Sequence, residues 1–385
     1  MKRILAGAIL ATLGFAPALA GGVSDTEIVV GTHLDLSGPV AAGMPQLRNG
    51  MQMRFDEANE AGGINGRKFK FIVKDNASQP QAAVRVVSEM MQSDDVFAIV
   101  NPFGSGTNAA VIKRAVDGGV LYFSPWGASS VFQRISGNNP LMFTTIANYD
   151  TTTAAALGWM IDEYKLKKIG YIQMEGPLGD LVGRGVKAAL DARGMKLAAE
   201  ASYKPGDIDF SSQVARMKAA DLDLIVVASI IRETIGVMAE VKKTGMNVKV
   251  LTATPGRTII VAQLGKDVVE GLYGVGTWTS IDPPKAQGDV QKWAADFKRR
   301  YNLDPDENAL LAYAYADWFV KGVQAAGRNL TAESASKALQ ATTMTHPVLY
   351  DTKRFNANHA SPESVKVEQL KGGVWTPVSP LLSEK

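Results

Sequence analysis

The chain has 385 residues, of which 41 are basic and 38 acidic, and it contains no cysteine. A net charge of +3 without a block of Lys and Arg argues against nucleic acid as a partner. The lack of cysteine excludes disulfides, thiolate metal sites, a cysteine nucleophile and the lipid-modified cysteine of an anchored secreted protein.

The N-terminal segment 1–20 has the pattern of a cleavable export signal. Lys2 and Arg3 precede a short apolar run over 4–13, and Ala-Leu-Ala at 18–20 is a small-residue cleavage site. The apolar run is shorter than the roughly 20 residues that span a bilayer, which favours a signal over a membrane anchor. Cleavage leaves about 365 residues, more than one core supports, so we expect two domains. The predicted location is the periplasm of a Gram-negative bacterium.

Short β-branched runs then alternate with amphipathic helices, the pattern of a parallel sheet covered by helices on both faces. The first series predicts strands at 27–34, 68–74, 96–101 and 120–124, with helices at 47–58, 81–92 and 108–117. After 141–146, the second predicts strands at 168–173, 196–203, 223–228 and 248–252, with helices at 151–164, 180–192, 210–219 and 233–243. A strand at 271–277, helices at 287–301, 309–326 and 332–340, and strands at 364–370 and 373–375 follow.

Two similar α/β series predict two similar lobes, each built on a doubly wound parallel sheet. Since no long Pro-, Gly- or Ser-rich linker separates the series, we expect several short crossings between the lobes. The expected division is 22–145 with 278–345 for lobe one, and 146–277 with 346–385 for lobe two.

The sequence lacks the parts of an enzyme active site. His33, His346 and His359 are its three histidines, and their spacing fits no metal site, so we interpret them as ordinary polar residues. Ser105 lies between two glycines, but its flanks do not form the nucleophile elbow G-x-S-x-G. Neither the dinucleotide fingerprint nor a phosphate loop occurs. We predict no catalytic residue, metal or cofactor, and keep an α/β enzyme only as an alternative.

Two polar turns that contain glycine follow neighbouring predicted strands, at 101–107 and 124–130. Open α/β sheets bind ligands at the carboxyl ends of their strands. Glycine lets the backbone approach a ligand, and helix N–H groups and hydroxyls can hold a carboxylate. A pair of plain helix caps is the alternative. The candidate ligand-binding residues here are Phe103, Gly104, Ser105, Thr107, Ser124, Trp126, Gly127, Ala128 and Ser129.

Further short motifs occur in a fixed order, at 36–39 (Leu-Ser-Gly-Pro), 59–66 (Asn-Glu-Ala-Gly-Gly-Ile-Asn-Gly), 75–76 (Asp-Asn), 103–107, 124–125, 209–211 (Asp-Phe-Ser) and 270–272 (Glu-Gly-Leu). With these motifs the sequence resembles the leucine/isoleucine/valine-binding family of periplasmic proteins over nearly the whole mature chain. The resemblance implies the type I periplasmic binding fold, in which three crossings join two lobes. It also implies closure on a ligand and delivery to the membrane permease of an ABC transporter.

The resemblance also assigns ligand contacts. Amino-acid binders of the family hold the carboxylate with a Ser or Thr on each lobe-one turn, and the ammonium with an acid from lobe two. These positions fall here on Gly104, Ala128 and Thr254, none of which has the expected side chain. Two aromatic positions fall on Leu178 and Ile230.

The missing acid predicts the chemistry of the ligand. A shift of one residue would bring Ser105 or Ser129 into the carboxylate positions, but no Asp or Glu lies between 248 and 266. An ammonium buried without an acceptor costs several kcal/mol. We therefore expect a small carboxylate with an aromatic or branched apolar group, with Arg257 as a charge partner. A surface position for Arg257 is the alternative.

The predicted function is that of a monomeric periplasmic solute-binding protein serving an ABC transporter. One alternative is a receptor for branched-chain or other amino acids, in which an acid such as Glu175 or Asp180 reaches the ammonium. The other is a ligand-sensing domain of a signalling system.

Overall fold

The computed structural model describes residues 21–127 and 130–383. The first part of the chain forms β1 (Glu27–Leu34), α1 (Met44–Glu60), β2 (Lys68–Asp75), α2 (Pro80–Gln92), β3 (Ala98–Val100), α3 (Ser105–Asp117), β4 (Leu121–Phe123), α4 (Val131–Ser136) and β5 (Met142–Phe143). The second part forms α5 (Tyr149–Tyr164), β6 (Ile169–Met174), α6 (Pro177–Asp191), β7 (Ala199–Tyr203), α7 (Ser211–Ala219), β8 (Leu224–Ala228), α8 (Ile231–Lys243), β9 (Lys249–Thr252), α9 (Ile259–Gly265) and β10 (Tyr273–Gly276).

The last part is mainly helical before it returns to strands. It forms α10 (Asp289–Tyr301), α11 (Glu307–Ala326), α12 (Ala332–Ala341), β11 (Thr343–Met344), β12 (Lys353–Arg354), β13 (Ser364–Lys371), β14 (Val374–Pro377) and β15 (Leu382–Ser383). No helix in the described residues is long and apolar enough to cross a membrane.

The first sheet has five parallel strands in the order β2-β1-β3-β4-β5. Its central strands β3 and β4 are apolar and buried throughout, because helices cover a parallel sheet on both faces. The strand order reverses beside β1. The switch point, where open sheets bind ligands, therefore lies between the carboxyl ends of β1 and β3.

The second sheet repeats this arrangement. Its order is β14-β13-β10-β9-β8-β6-β7. The five strands from β10 to β7 in this order, which include β6, pair in parallel, and β13 and β14 are added by antiparallel pairing. The series β7-β6-β8-β9-β10 has the strand order of the first sheet, so its switch point lies between β6 and β8. The predicted class, two doubly wound lobes, is confirmed.

Helices from the last part of the chain complete the first lobe. Trp318 and Phe319 of α11 are fully buried in the core that covers the first sheet. Val348, Leu349 and Phe355 belong to the same core. We therefore propose that the chain leaves lobe one after Phe355, and not at the predicted boundary of 345.

The chain passes between the sheets after β5, after β10 and before β13, and the first of these crossings bonds to the third. Thr144 and Ala360 form a parallel bridge between the first and third crossings. The Thr279 N–H, in the second crossing, donates to the Val348 carbonyl of lobe one at 2.8 Å. The first and third crossings are thus held together, and the second is bonded to lobe one.

Most element predictions agree with the structure to within a few residues, but one difference matters for function. Helix α3 begins at Ser105, whereas the sequence predicts a start at Asn108. Gly106 and two hydroxyl residues give no helical hydrophobic pattern, so the first turn was not predicted. The short helices α4 and α9 were also missed.

Candidate functional site

The carboxyl edges of both sheets lie next to the crossings between the lobes. The first crossing leaves the carboxyl end of β5, and the second leaves the carboxyl end of β10. We infer that the two switch points face each other across a cleft between the lobes, and that the turns predicted to bind ligand line its two walls.

The turn between β3 and α3 is the N-terminus of a helix. Gly104 is the N-cap residue, with a φ of 107°. A Cβ atom at this position would collide with the Thr107 hydroxyl, so this backbone conformation requires glycine. The N–H groups of residues 105–107, in the first turn, have no acceptor within the helix.

The hydroxyl groups of this turn are used within the protein. Ser105 Oγ donates to the Gly127 carbonyl at 2.6 Å, and Thr107 Oγ1 donates to the Phe103 carbonyl at 2.6 Å. The predicted hydroxyl donors therefore hold the turn in shape. The backbone N–H groups are the donors left for an anionic ligand, as is typical of helix N-termini.

The turn after β4 packs directly against the first turn. The Gly104 N–H donates to the Trp126 carbonyl at 3.0 Å, and the Trp126 N–H donates to the Pro102 carbonyl at 2.8 Å. A Cβ atom on Gly127, whose φ is 128°, would lie 2.6 Å from Ser105 N. The close approach of the two turns thus depends on a second glycine.

Trp126 combines an apolar surface with a free donor. The side chain is 7% exposed, and Nε1 has no hydrogen-bond partner among the described residues. Ser124 was also predicted to contact ligand, but its Oγ is fully buried and bonds to Thr145 Oγ1 at 2.6 Å. Ala128 and Ser129, predicted here too, lie outside the described residues.

The predicted lobe-two residues lie at the carboxyl ends of neighbouring strands. Leu178 is in the first turn of α6, Ile230 is the N-cap of α8, and Thr254 starts a single helical turn after β9. Thr254 is buried, and its Oγ1 has no hydrogen-bond partner within the described residues. All three thus follow the carboxyl ends of strands of the second sheet, where the lobe-two wall of the inferred cleft lies.

Sequence reasoning missed a buried acid on this wall. Glu233, in the first turn of α8, is only 2% exposed, and its Oε2 has no partner in the described part of the chain. Arg232 Nη2 lies 3.7 Å from Oε1. The signal available in the sequence was its position three residues after the predicted site residue Ile230.

Arg257 does not point a free guanidinium into the cleft. It is fully buried and donates to Glu368 Oε2 at 2.5 Å, to the Trp278 carbonyl at 2.6 Å and to Tyr350 Oη at 3.3 Å. Its Nη1 lies 3.5 Å from Glu307 Oε2. We leave Arg257 out of the proposed site because these partners use its donors.

Glu307, beside Arg257, accepts hydrogen bonds from further residues of the same network. Glu307, the first residue of α11, accepts hydrogen bonds from Ile259 N at 2.7 Å and from Trp278 Nε1 at 3.0 Å. Burial raises the pKa of Glu307 to about 7, against the opposing effect of the Arg257 charge. The network joins α11 of lobe one to lobe two and to the second crossing.

The two lobes with matching strand order, facing each other across a cleft at their switch points, define a solute-binding protein of the type I fold. The chain belongs to the periplasmic binding protein family, whose pattern matches residues 27–373. The predicted resemblance to the leucine/isoleucine/valine-binding proteins is confirmed.

Three similar proteins illustrate the range of this family and fold. The Leu/Ile/Val-binding protein BraC3 of Rhizobium johnstonii is 25% identical over 338 residues, 88% of this chain and 89% of the relative. An ABC transporter solute-binding protein of R. palustris in complex with benzoate has a TM-score of 0.80 at 18% identity, covering 93% of this chain and 98% of that one. A fatty acid ABC transporter substrate-binding protein from Thermomonospora curvata has a TM-score of 0.80 at 23% identity, covering 96% and 95%.

Proposed function

We propose that this protein is the periplasmic receptor of an ABC transporter and that it delivers a small carboxylate with an aromatic or branched apolar group to the membrane permease. The observation that carries the proposal is the set of hydrogen-bond donors on the lobe-one wall. There the unpaired N–H groups of the first turn of α3 adjoin Trp126, whose indole donor is buried without a partner in the described chain.

These donors favour an anion. The N-terminus of a helix carries a partial positive charge, and a carboxylate there accepts hydrogen bonds from several N–H groups. Phe103 and Trp126 supply rings beside the donors, and a stacked aromatic ligand gains roughly 0.5–1.5 kcal/mol beyond its area burial. On the opposite wall Thr254 replaces the family's acid, which supports a ligand without an ammonium group.

Two of the similar structures are described with carboxylic acids. The R. palustris protein holds benzoate, and the T. curvata protein is described by its fatty acid transport. Both ligand types are carboxylates with an apolar body and no ammonium. Their folds match this chain, and the turn after β9 in this chain has no acid that would pair with a ligand ammonium.

An amino-acid receptor is the second candidate, and Glu233 is the observation that favours it. Its carboxylate is buried on the lobe-two wall with one oxygen unpaired in the described residues. A ligand ammonium would donate a hydrogen bond to that oxygen. The Rhizobium relative is a Leu/Ile/Val-binding protein.

Titration calorimetry separates the two candidates. We expect benzoate or phenylpyruvate to bind more tightly than leucine or phenylalanine, and Trp126→Ala to weaken that binding by about tenfold or more. Glu233→Gln should leave the binding of these acids unchanged. Tighter binding of the amino acids, lost in Glu233→Gln and unaffected by Trp126→Ala, would establish the amino-acid receptor instead.

We also propose that the protein binds its ligand without chemical turnover and acts as a soluble monomer. The export signal at 1–20 lies outside the described residues, and its sequence pattern supports cleavage before Gly21. N-terminal sequencing and gel filtration of the protein from a periplasmic extract test these points. Recovery only from membranes, with residues 1–20 intact, would contradict them.

A further inference from the structure

Four polar side chains are completely buried beneath the two turns of lobe one. His33 is near the end of β1, Asn76 follows β2, Tyr122 is in the middle of β4, and Asn108 is in α3. Each comes from a different part of the first sheet or of its covering helices. Together they form one continuous series of hydrogen bonds, which we call the polar chain.

The polar chain begins at Asn76. Its Nδ2 donates to the Phe103 carbonyl at 2.9 Å and to His33 Nδ1 at 2.9 Å. Its Oδ1 accepts from Ser78 N at 2.8 Å, which fixes the orientation of the amide. Because His33 Nδ1 must then accept, the proton of the neutral imidazole lies on Nε2.

The remaining bonds follow in one direction. His33 Nε2 donates to Tyr122 Oη at 3.0 Å, and Tyr122 Oη donates to Asn108 Oδ1 at 2.7 Å. Asn108 Nδ2 then donates to the Pro102 carbonyl at 3.1 Å and to the Trp126 carbonyl at 2.7 Å. Burial lowers the pKa of His33 to about 3, which agrees with a neutral ring.

The end points of the polar chain are the turns that face the cleft. At one end it holds the carbonyl of Phe103, and at the other it holds the carbonyls of Pro102 and Trp126. Burying these polar groups is expensive unless every one is bonded, so the series tolerates little displacement of either turn. Apolar side chains would fill the same space without fixing the carbonyls.

We propose that His33, Tyr122 and Asn108 are positioning residues for the binding site, which set the separation between the N-terminus of α3 and the Trp126 turn. The polar chain thereby fixes the spacing of the backbone donors and the indole ring that select the ligand. This proposal rests on the proposed function, because it assigns the two turns to ligand binding.

The test compares two tyrosines of lobe one. Tyr122→Phe removes the central link of the polar chain. Tyr313→Phe is the matched control, because its hydroxyl donates at 2.6 Å to Glu57, a bond that joins α11 to α1 away from the turns. Hydrogen exchange of peptides covering 101–110 is measured without ligand, and benzoate affinity is measured by calorimetry.

We expect the 101–110 amides to exchange about tenfold faster in Tyr122→Phe than in wild type, and benzoate to bind about tenfold more weakly, with neither change in Tyr313→Phe. Unchanged exchange in Tyr122→Phe, unchanged benzoate affinity despite faster exchange, or equal changes in both variants would overturn the inference. Should Tyr122→Phe not fold, Asn76→Ala breaks the opposite end and carries the same expectation. If wild type does not bind benzoate, the proposed function fails, and hydrogen exchange alone then decides whether the polar chain holds the turns.

Discussion

His33 illustrates how one residue links the fold to the pH of the solution. Its ring is fully buried, and both nitrogens are bonded in the neutral form. Protonation would set an N–H of the ring against the Asn76 amide donor. The folded state therefore excludes the proton, and burial lowers the pKa from 6.5 to about 3.

We predict that His33 makes the protein sensitive to acid. Below pH 6.5 the unfolded chain binds a proton that the folded chain does not, so the free energy of unfolding falls as the pH falls towards 3. Between pH 7 and 4.5 this amounts to roughly 2.5 kcal/mol. Urea unfolding at pH 7 and pH 4.5 measures the loss of unfolding free energy in each protein. We expect the loss in wild type to exceed the loss in His33→Gln by this amount.

The comparison with His33→Gln is needed because other groups also titrate. Burial lowers the pKa of His346 to about 4, which adds to the loss in acid, whereas burial raises the pKa of Glu307 to about 7, which opposes it. Both effects are common to the two proteins. An equal loss of stability in wild type and variant would show that His33 is protonated in the folded state.

At the scale of single residues, the sequence predicted what depends on neighbours along the chain. Gly104 and Gly127 were identified because they follow strands in a pattern that is visible locally. The burial of Arg257 was not predictable, because its partners Glu307 and Glu368 lie 50 and 111 residues further along the chain. The polar chain was missed for the same reason, since 89 residues separate His33 from Tyr122.

At the scale of elements, helix α3 connects packing to binding. Its first turn has three hydroxyl or glycine residues and was not predicted, yet it carries the donors of the proposed site. The strand before it could be predicted from its apolar run. The helix start could not, since it is set by the glycine N-cap and by contacts with the next turn.

We predict that Gly104→Ala and Gly127→Ala each weaken benzoate binding by about tenfold or more. A Cβ atom on Gly104 collides with the Thr107 hydroxyl and distorts the start of α3, and a Cβ atom on Gly127 collides with Ser105 and forces the two turns apart. Gly119→Ala, at the other end of α3, is the control. Its φ is 83°, but a Cβ atom there meets nothing within 4 Å.

Thermal unfolding and calorimetry distinguish strain from displacement. All three variants should lose about 1–3 kcal/mol of stability from the positive φ, whereas only the two turn variants should lose affinity. Equal affinity in all three would show that the separation of the turns does not control binding.

At the scale of the molecule, the Arg257 network joins the lobes near the hinge. Glu307 of α11 bonds to Ile259 N and lies beside Arg257, both of which belong to the second sheet's side of the cleft. Because the Glu307 carboxylate is buried between the lobes, moving the lobes apart breaks its hydrogen bonds.

We predict that Glu307→Gln lowers the free energy of unfolding by about 1–3 kcal/mol, because an amide NH2 replaces one of the two oxygens that accept from Ile259 N and Trp278 Nε1 and leaves a buried donor unpaired. The radius of gyration from small-angle scattering should increase as the lobes separate. Glu333→Gln breaks an exposed pair with Lys337 and should cost less than about 1 kcal/mol. A Glu307 variant as stable and compact as Glu333→Gln would refute the coupling.

Ligand should draw the lobes together by contacts made only in the closed state. We expect a smaller radius of gyration with saturating benzoate than without it. An unchanged scattering profile at saturation confirmed by calorimetry would contradict hinged closure.

The bridge between Thr144 and Ala360 has a consequence for the order in which the protein folds. The two residues that form this bridge are separated by more than half of the chain, and β13 must insert beside β10 to extend the second sheet. Neither lobe can complete its core from the part of the chain synthesised first. Pairing across such long sequence separations is slow, so the polypeptide should stay unfolded until its C-terminal strands are released. A chain that is still unfolded can pass through a narrow translocation pore, so this protein should stay competent for export until its last residues have passed.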